Sequence, residues 1–160
     1  VADMIESEAS AEVARLQEVA GKYAAAGGGD SSSDLALEFV DACRSALATS
    51  PSCATTLQSL LSSDPELLLS VGWELPHLLL PLVSADTGVS EAASATLRLA
   101  VSKCNPREML LTTKECFFCF PAVEQQCLLL EMLGVILPRI KARPWEALET
   151  AVGAFERCAA

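Results

Sequence analysis

Cys116-Phe117-Phe118-Cys119 is the sharpest chemical pattern in the chain, two thiols separated by two aromatic residues. Two chemistries use that spacing. A zinc module needs two further ligands, and the sequence offers only one histidine, His77, with Cys104 and Cys127 as the nearest other thiols. A thioredoxin-like pair needs its cysteines at a helix start after a strand, where a thiol is readily ionised. Here the pair falls at the C-terminal end of a helical segment, with no strand before it. The spacing therefore favours two buried cysteines among phenylalanines, because free cysteine is one of the most buried residue types. A thiol redox relay through Cys116 and Cys119, and a structural zinc module, stand as the alternatives.

The other reactive groups fare no better. A Cys-His pair across the fold would need something to orient His77, and its neighbours Pro76 and Leu78 offer nothing. Gly27-Gly28-Gly29 lacks the following lysine and preceding strand of a phosphate loop, so it reads as a linker. Arg139-Ile140-Lys141-Ala142-Arg143 is the one basic cluster. It sits where cations favour a helix C-terminus, with contact to an acidic partner as the second reading. Glu146 and Glu149 look like helix surface, not a catalytic carboxylate pair. No catalytic, cofactor-binding or metal-ligating residue is named, and the chain is expected to be non-enzymatic.

The elements that carry these residues are expected to be helices. A chain of 160 residues is long enough for one domain with a real core. Hydrophobic residues make up 51% and aromatics only 5%, so the core must be built from Leu, Ala and Val, a helix-bundle composition. Mean hydropathy is +0.36. Even so, the longest apolar candidate, Leu75 to Val83, is broken by Pro76, His77 and Pro81 and falls short of the ~18 apolar residues of a spanning helix. Residues 1–34 carry seven acidic and two basic groups, residues 35–102 again seven and two, and residues 103–160 seven of each. The net charge of -10 thus lies wholly in the first two-thirds. That argues against a nucleic-acid phosphate backbone as partner and is compatible with a basic protein. Seven scattered cysteines suit a reducing compartment, cytoplasm or nucleus. The chain opens Val1-Ala2-Asp3-Met4 without a signal-peptide pattern, and the lack of an initiator methionine leads to the expectation of a fragment of a longer protein.

Periodicity divides the chain into an N-terminal helix over 1–26, a Gly/Ser linker over 27–33, and a helical region over 34–160. The first helix turns Ile5, Ala9, Val13, Leu16, Val19, Ala20 and Tyr23 to one side. The linker makes it a candidate for a loosely docked element. Ser33 or Asp34 is expected to cap the second helix, Ser63 or Asp64 the fourth, and Ser90 the one that ends before Asn105. Prolines 51, 65, 76, 106, 121 and 144 fall where helix starts would place them, and Pro81 should kink its segment. Inward positions are expected to include Val123 and Cys127 on the helix after Pro121, and Trp145, Leu148, Val152 and Phe155 on the last. Trp73 and five Leu or Val side chains, Val71, Leu75, Leu78, Leu79 and Leu80, crowd into the stretch that runs through Pro76 to Pro81, where exposure would forfeit roughly 1.5 to 3 kcal/mol each, so burial is expected for all of them. Helix pairs recur every ~35 to 45 residues, the rhythm of an irregular HEAT/armadillo-like helical repeat, an all-α solenoid.

Trp73-Glu74-Leu75-Pro76, then Leu79-Leu80-Pro81, and one helix later Cys104-Asn105-Pro106-Arg107-Glu108-Met109-Leu110, resemble the N-terminal region of the glomulin family. That family includes the plant aberrant lateral root formation protein and the yeast Yap-binding protein. The resemblance implies a HEAT-like protein without enzymatic activity or cofactor. It also implies a partner, the RING subunit of a cullin-RING ubiquitin ligase, held through a C-terminal region outside this chain and so inhibited. The yeast branch implies the alternative of a thiol-linked regulator of a transcription factor. The matching residues Trp73, Leu75, Pro76, Pro81, Asn105, Pro106, Arg107 and Glu108 are expected to be structural, at a packing junction between repeats.

Overall fold

The structure is a computed structural model that describes residues 2–27, 29, 31–83, 87–140 and 144–159. Among these residues it is all-helical. The α-helices are α1 (Ala2–Ala26), α2 (Ser32–Thr49), α3 (Cys53–Ser63), α4 (Pro65–Val71), α5 (Leu75–Leu79), α6 (Thr87–Lys103), α7 (Pro106–Cys119), α8 (Val123–Ile136) and α9 (Pro144–Ala159). Short 3₁₀ turns cover Gly72–Glu74, Leu80–Leu82 and Leu137–Arg139.

Two helix starts follow directly from local chemistry. Asp64 sits in extended conformation and its Oδ1 accepts from the Leu67 N–H at 3.2 Å, with Pro65 next and Glu66 in the first turn. Asn105 does the same for α7, accepting from the N–H groups of Arg107 at 2.9 Å and Glu108 at 3.4 Å. Pro144 opens α9 and Pro76 lies in the first turn of α5, whereas other expected starts move. The second helix begins at Ser32, and Ser31 in front of it makes no side-chain cap bond. Pro51 lies in a turn ahead of α3, with the Cys53 N–H bonded to the Ser50 carbonyl and the Ala54 N–H to Pro51. Pro121 likewise precedes α8 by two residues, and the Ala122 N–H is capped by Gln125 Oε1 at 3.2 Å. Ser90 lies inside α6, and its hydroxyl donates to the Val83 carbonyl, joining the helix to the turn before it. Pro81 ends α5 after five residues and tightens the chain into a 3₁₀ turn, as its missing donor requires.

One core runs through the helices, with Phe39, Leu57, Leu67, Leu75, Leu79, Leu97, Met109 and Leu129 fully buried in it. The most extensive packings are α1 on α2, α3 on α6, α7 on α8 and α6 on α8. The first helix is docked: Leu16, Val19, Ala20 and Tyr23 are buried, and the Tyr23 hydroxyl meets Ser70 Oγ at 2.5 Å and donates to the Glu66 carbonyl at 3.3 Å. Ser45 Oγ adds a bond to Glu12 Oε1 at 3.2 Å. Two expectations about inward faces are corrected. Val123 and Cys127 face outward on α8, which buries Gln125, Leu128, Leu129, Met132, Leu133 and Ile136 instead. That helix is apolar around most of its circumference, so periodicity could not select the face. On α9, Val152 and Phe155 are exposed and Ala154 is buried. The side chains of Ile5, Trp145 and Leu148 lie outside the described residues. Arg157 stacks on the Phe118 ring at 3.1 Å from its centroid, and Cys158 Sγ donates to Gln126 Oε1 at 3.4 Å, so α9 is held to α7 and α8 by surface contacts.

Candidate functional site

The two stretches that are most distinctive in sequence meet in space. Leu75, Pro76, Leu79 and Leu80 are buried, and α5 packs on both α6 and α7. Across the junction, Cys104 at the end of α6 donates its thiol to the Leu68 carbonyl at 3.5 Å. Gly72 is buried beside it, and a Cβ on Gly72 would collide with the Cys104 sulfur. The turn that launches α7 thus begins at a cysteine seated against the end of α4. Gln125 from α8 closes the other side, with Nε2 donating to the Leu80 carbonyl at 2.9 Å. The guanidinium of Arg139 donates to the Val101 carbonyl, so the described member of the basic cluster serves the C-terminal end of a neighbouring helix, α6, instead of its own. Lys141 and Arg143 lie outside the described residues. None of these partnerships is visible locally in the sequence.

Trp73 departs from expectation. The 3₁₀ turn Gly72–Glu74 swings it outward, and it is 43% exposed. Its Nε1 donates to the Ser70 carbonyl at 3.2 Å, which fixes the indole on the surface. Glu74 next to it pairs with Arg44 of α2 at 3.8 Å. The indole separates two grooves. One, of about 350 Å³, is lined by Ser33, Ala36, Leu37, Val40 and Ser70 with Trp73. The other, of about 260 Å³, is lined by Trp73, Glu108, Leu111 and Thr112. Of the remaining motif residues, Pro81, Arg107 and Glu108 are exposed and Pro106 is half-buried at the first position of α7.

The thiol pattern is placed at the C-terminal end of α7, with Cys116 buried and Cys119 exposed, so only one of the two cysteines expected in the core is there. The structure does bring His77 to Cys116: the sulfur lies 4.0 Å from both ring nitrogens, and Glu115 Oε2 is 3.3 Å from Nε2. Equal distances to both nitrogens put the sulfur off the in-plane direction of either lone pair, so proton transfer between them is poorly aligned. Burial pushes the Cys116 thiol up to about 12, with the negative charges of Cys119 and Glu115 adding to it. A thiol in that state is not a nucleophile. Alkylation at about pH 8 is therefore expected to label Cys119 in the folded protein and to reach Cys116 only on unfolding, as peptide mapping after iodoacetamide would read. Equal labelling of both would contradict the burial of Cys116. The linkage has a definite sign. The unfolded thiol loses its proton near the ordinary value of 9.0 while the folded one keeps it to about 12, so this stabilisation is complete below pH 9 and lost as pH rises through that window.

Among the described residues no group of three or more His, Cys, Asp or Glu side chains is arranged to hold a metal ion. Among them, too, no helix is long and apolar enough to cross a membrane. Comparison with curated proteins and with solved structures gives no match. A family match does exist. It covers residues 34–160, which takes in α2 apart from its first two residues, every later helix, and the whole Gly72–Cys104 junction. By that match the chain belongs to the uncharacterised protein family YAP/Alf4/glomulin.

Proposed function

We propose that the chain is a non-enzymatic scaffold from a glomulin-like regulator of cullin-RING ubiquitin ligases, working in the cytoplasm or nucleus. Family membership over residues 34–160 is the observation that carries the reading, and it supports a role in protein interaction. The proposed architecture is an irregular HEAT-like solenoid. The packing of successive helices, α1 on α2 and α7 on α8, favours it, while the pairing of α3 with α6 around the short α4 and α5 is the irregular part. In this reading the motif residues hold helices together, and the RING subunit is bound through a region C-terminal to residue 160. A non-enzymatic role accords with a buried, protonated Cys116 and a poorly aligned His77.

The test is a pull-down of a purified RING subunit with this chain and with the protein encoded by the whole reading frame. Binding by the longer protein and not by residues 1–160 is the expected result. Failure of both would overturn the assignment, and binding by residues 1–160 alone would overturn the placement of the contact.

A further inference from the structure

The surface around Trp73 is built differently from the junction beneath it. Leu37 of α2 is 57% exposed, Trp73 43% and Leu111 of α7 65%, and the two grooves that meet at the indole join them into one apolar face. Scattered exposed leucines are ordinary on a protein surface, but large apolar side chains clustered around grooves mark interaction sites. The indole is already organised for the purpose. Its one polar atom is satisfied by the Ser70 carbonyl, so the ring offers apolar surface with little rotamer freedom left to lose on binding.

The charge around this face says what would cover it. On α2, Leu37 shares its helix face with Asp34 three residues before and Asp41 four after. Across the groove, α4 presents Glu66 one turn ahead of Ser70, and Glu108 lines the second groove directly. Asp34, Glu66 and Glu108 have no ion-pair partner among the described residues. Three cations lie close by. Arg44 is engaged by Asp41 at 3.3 Å and by Glu74 at 3.8 Å, Arg107 stands one turn before Leu111, and Lys114 follows Leu111 by three residues, next to the exposed Glu115. Acidic groups therefore predominate around the apolar face, whose α2 and α4 sides lie in the part of the chain that carries its whole net negative charge. A second copy of this chain would bring the same acidic rim against it, and like charges opposed across an interface are unfavourable.

We propose that the grooves flanking Trp73 dock a basic amphipathic helix from a partner protein, with apolar side chains set against Leu37, Trp73 and Leu111 and Lys or Arg side chains meeting the acidic rim. Helix-in-groove recognition of this kind uses apolar anchors at three- to four-residue spacing, and tryptophan is one of the residue types enriched at binding hot spots. This surface is separate from the RING contact, and stands or falls independently of it.

The experiment is selection of binders from a displayed library of random peptides against this protein, followed by affinity measurement with the selected peptides in solution. Selected sequences are expected to combine Lys or Arg with Leu, Ile or Phe at helical spacing. Their affinity should fall about thirtyfold with Trp73→Ala and weaken as salt is raised. Leu37→Lys, at an exposed position that leaves the core intact, should weaken the same peptides and decides the matter if Trp73→Ala fails to fold. An empty selection, acidic binders, or basic binders indifferent to both substitutions would overturn the proposal. So would sedimentation showing self-association that Leu37→Lys or Trp73→Ala abolishes, since a second copy would then be the occupant.

Discussion

Gly72→Ala is expected to lower the free energy of unfolding by about 1–3 kcal/mol, read as an earlier midpoint in denaturant with little change in slope. The loss would not come from the backbone. Gly72 has φ -55° and ψ -36°, an ordinary helical conformation, where alanine on propensity alone would be the better residue by up to about 1 kcal/mol. The cost is steric. The new methyl group would collide with the Cys104 sulfur and sit 3.3 Å from its Cβ, inside a closed core. Cys104 has one torsion with which to move away, and moving breaks the contact of its thiol with the Leu68 carbonyl. A neutral or stabilising Gly72→Ala would mean that α4 and the end of α6 are not packed as described.

Leu75→Ala carries the larger expected effect, about 2–5 kcal/mol. Leu75 is fully buried, at the start of α5 where that helix meets α6 and α7, so truncation leaves a cavity that several elements would have to collapse to fill. Trp73, two residues away, removes more atoms on truncation yet is expected to cost less, because 43% of it already faces solvent. Chemical denaturation of the two variants side by side reads this order directly. The reverse order would place the indole in the core and the leucine at the surface, against the geometry of the 3₁₀ turn between them.

That contrast also shows what a single chain discloses and what it withholds. The starts at Asp64-Pro65 and Asn105-Pro106 were legible because a cap, a proline and an acidic first turn act within four residues. The kink at Pro81 was legible for the same reason. Ser50-Pro51 and Pro121 misled by two residues, because a proline can begin a turn as readily as a helix, and the turn's own bonds decide. Val123 and Cys127 were turned the wrong way because α8 is apolar on most of its circumference and its neighbours choose the face. Trp73 was expected in the core from its company, but orientation depends on the local change from α to 3₁₀ geometry. A junction around Pro76 could be anticipated from the apolar run, whereas its fit could not. Gly72 and Cys104 are distant in sequence, and so are Gln125 and the Leu80 carbonyl it satisfies. The approach of His77 to Cys116 is likewise a product of packing alone.

The fold turns on the packing of residues 72–81 against residues 104–108, with Gly72 beside the Cys104 sulfur. A double-mutant cycle between Gly72→Ala and Cys104→Ala measures it. Cys104→Ala removes the sulfur that the new methyl group would strike, so the penalty for Gly72→Ala should shrink in that background, with a coupling of about 0.5–3 kcal/mol. Strictly additive effects of the two substitutions would show that the residues do not touch, and would contradict the junction.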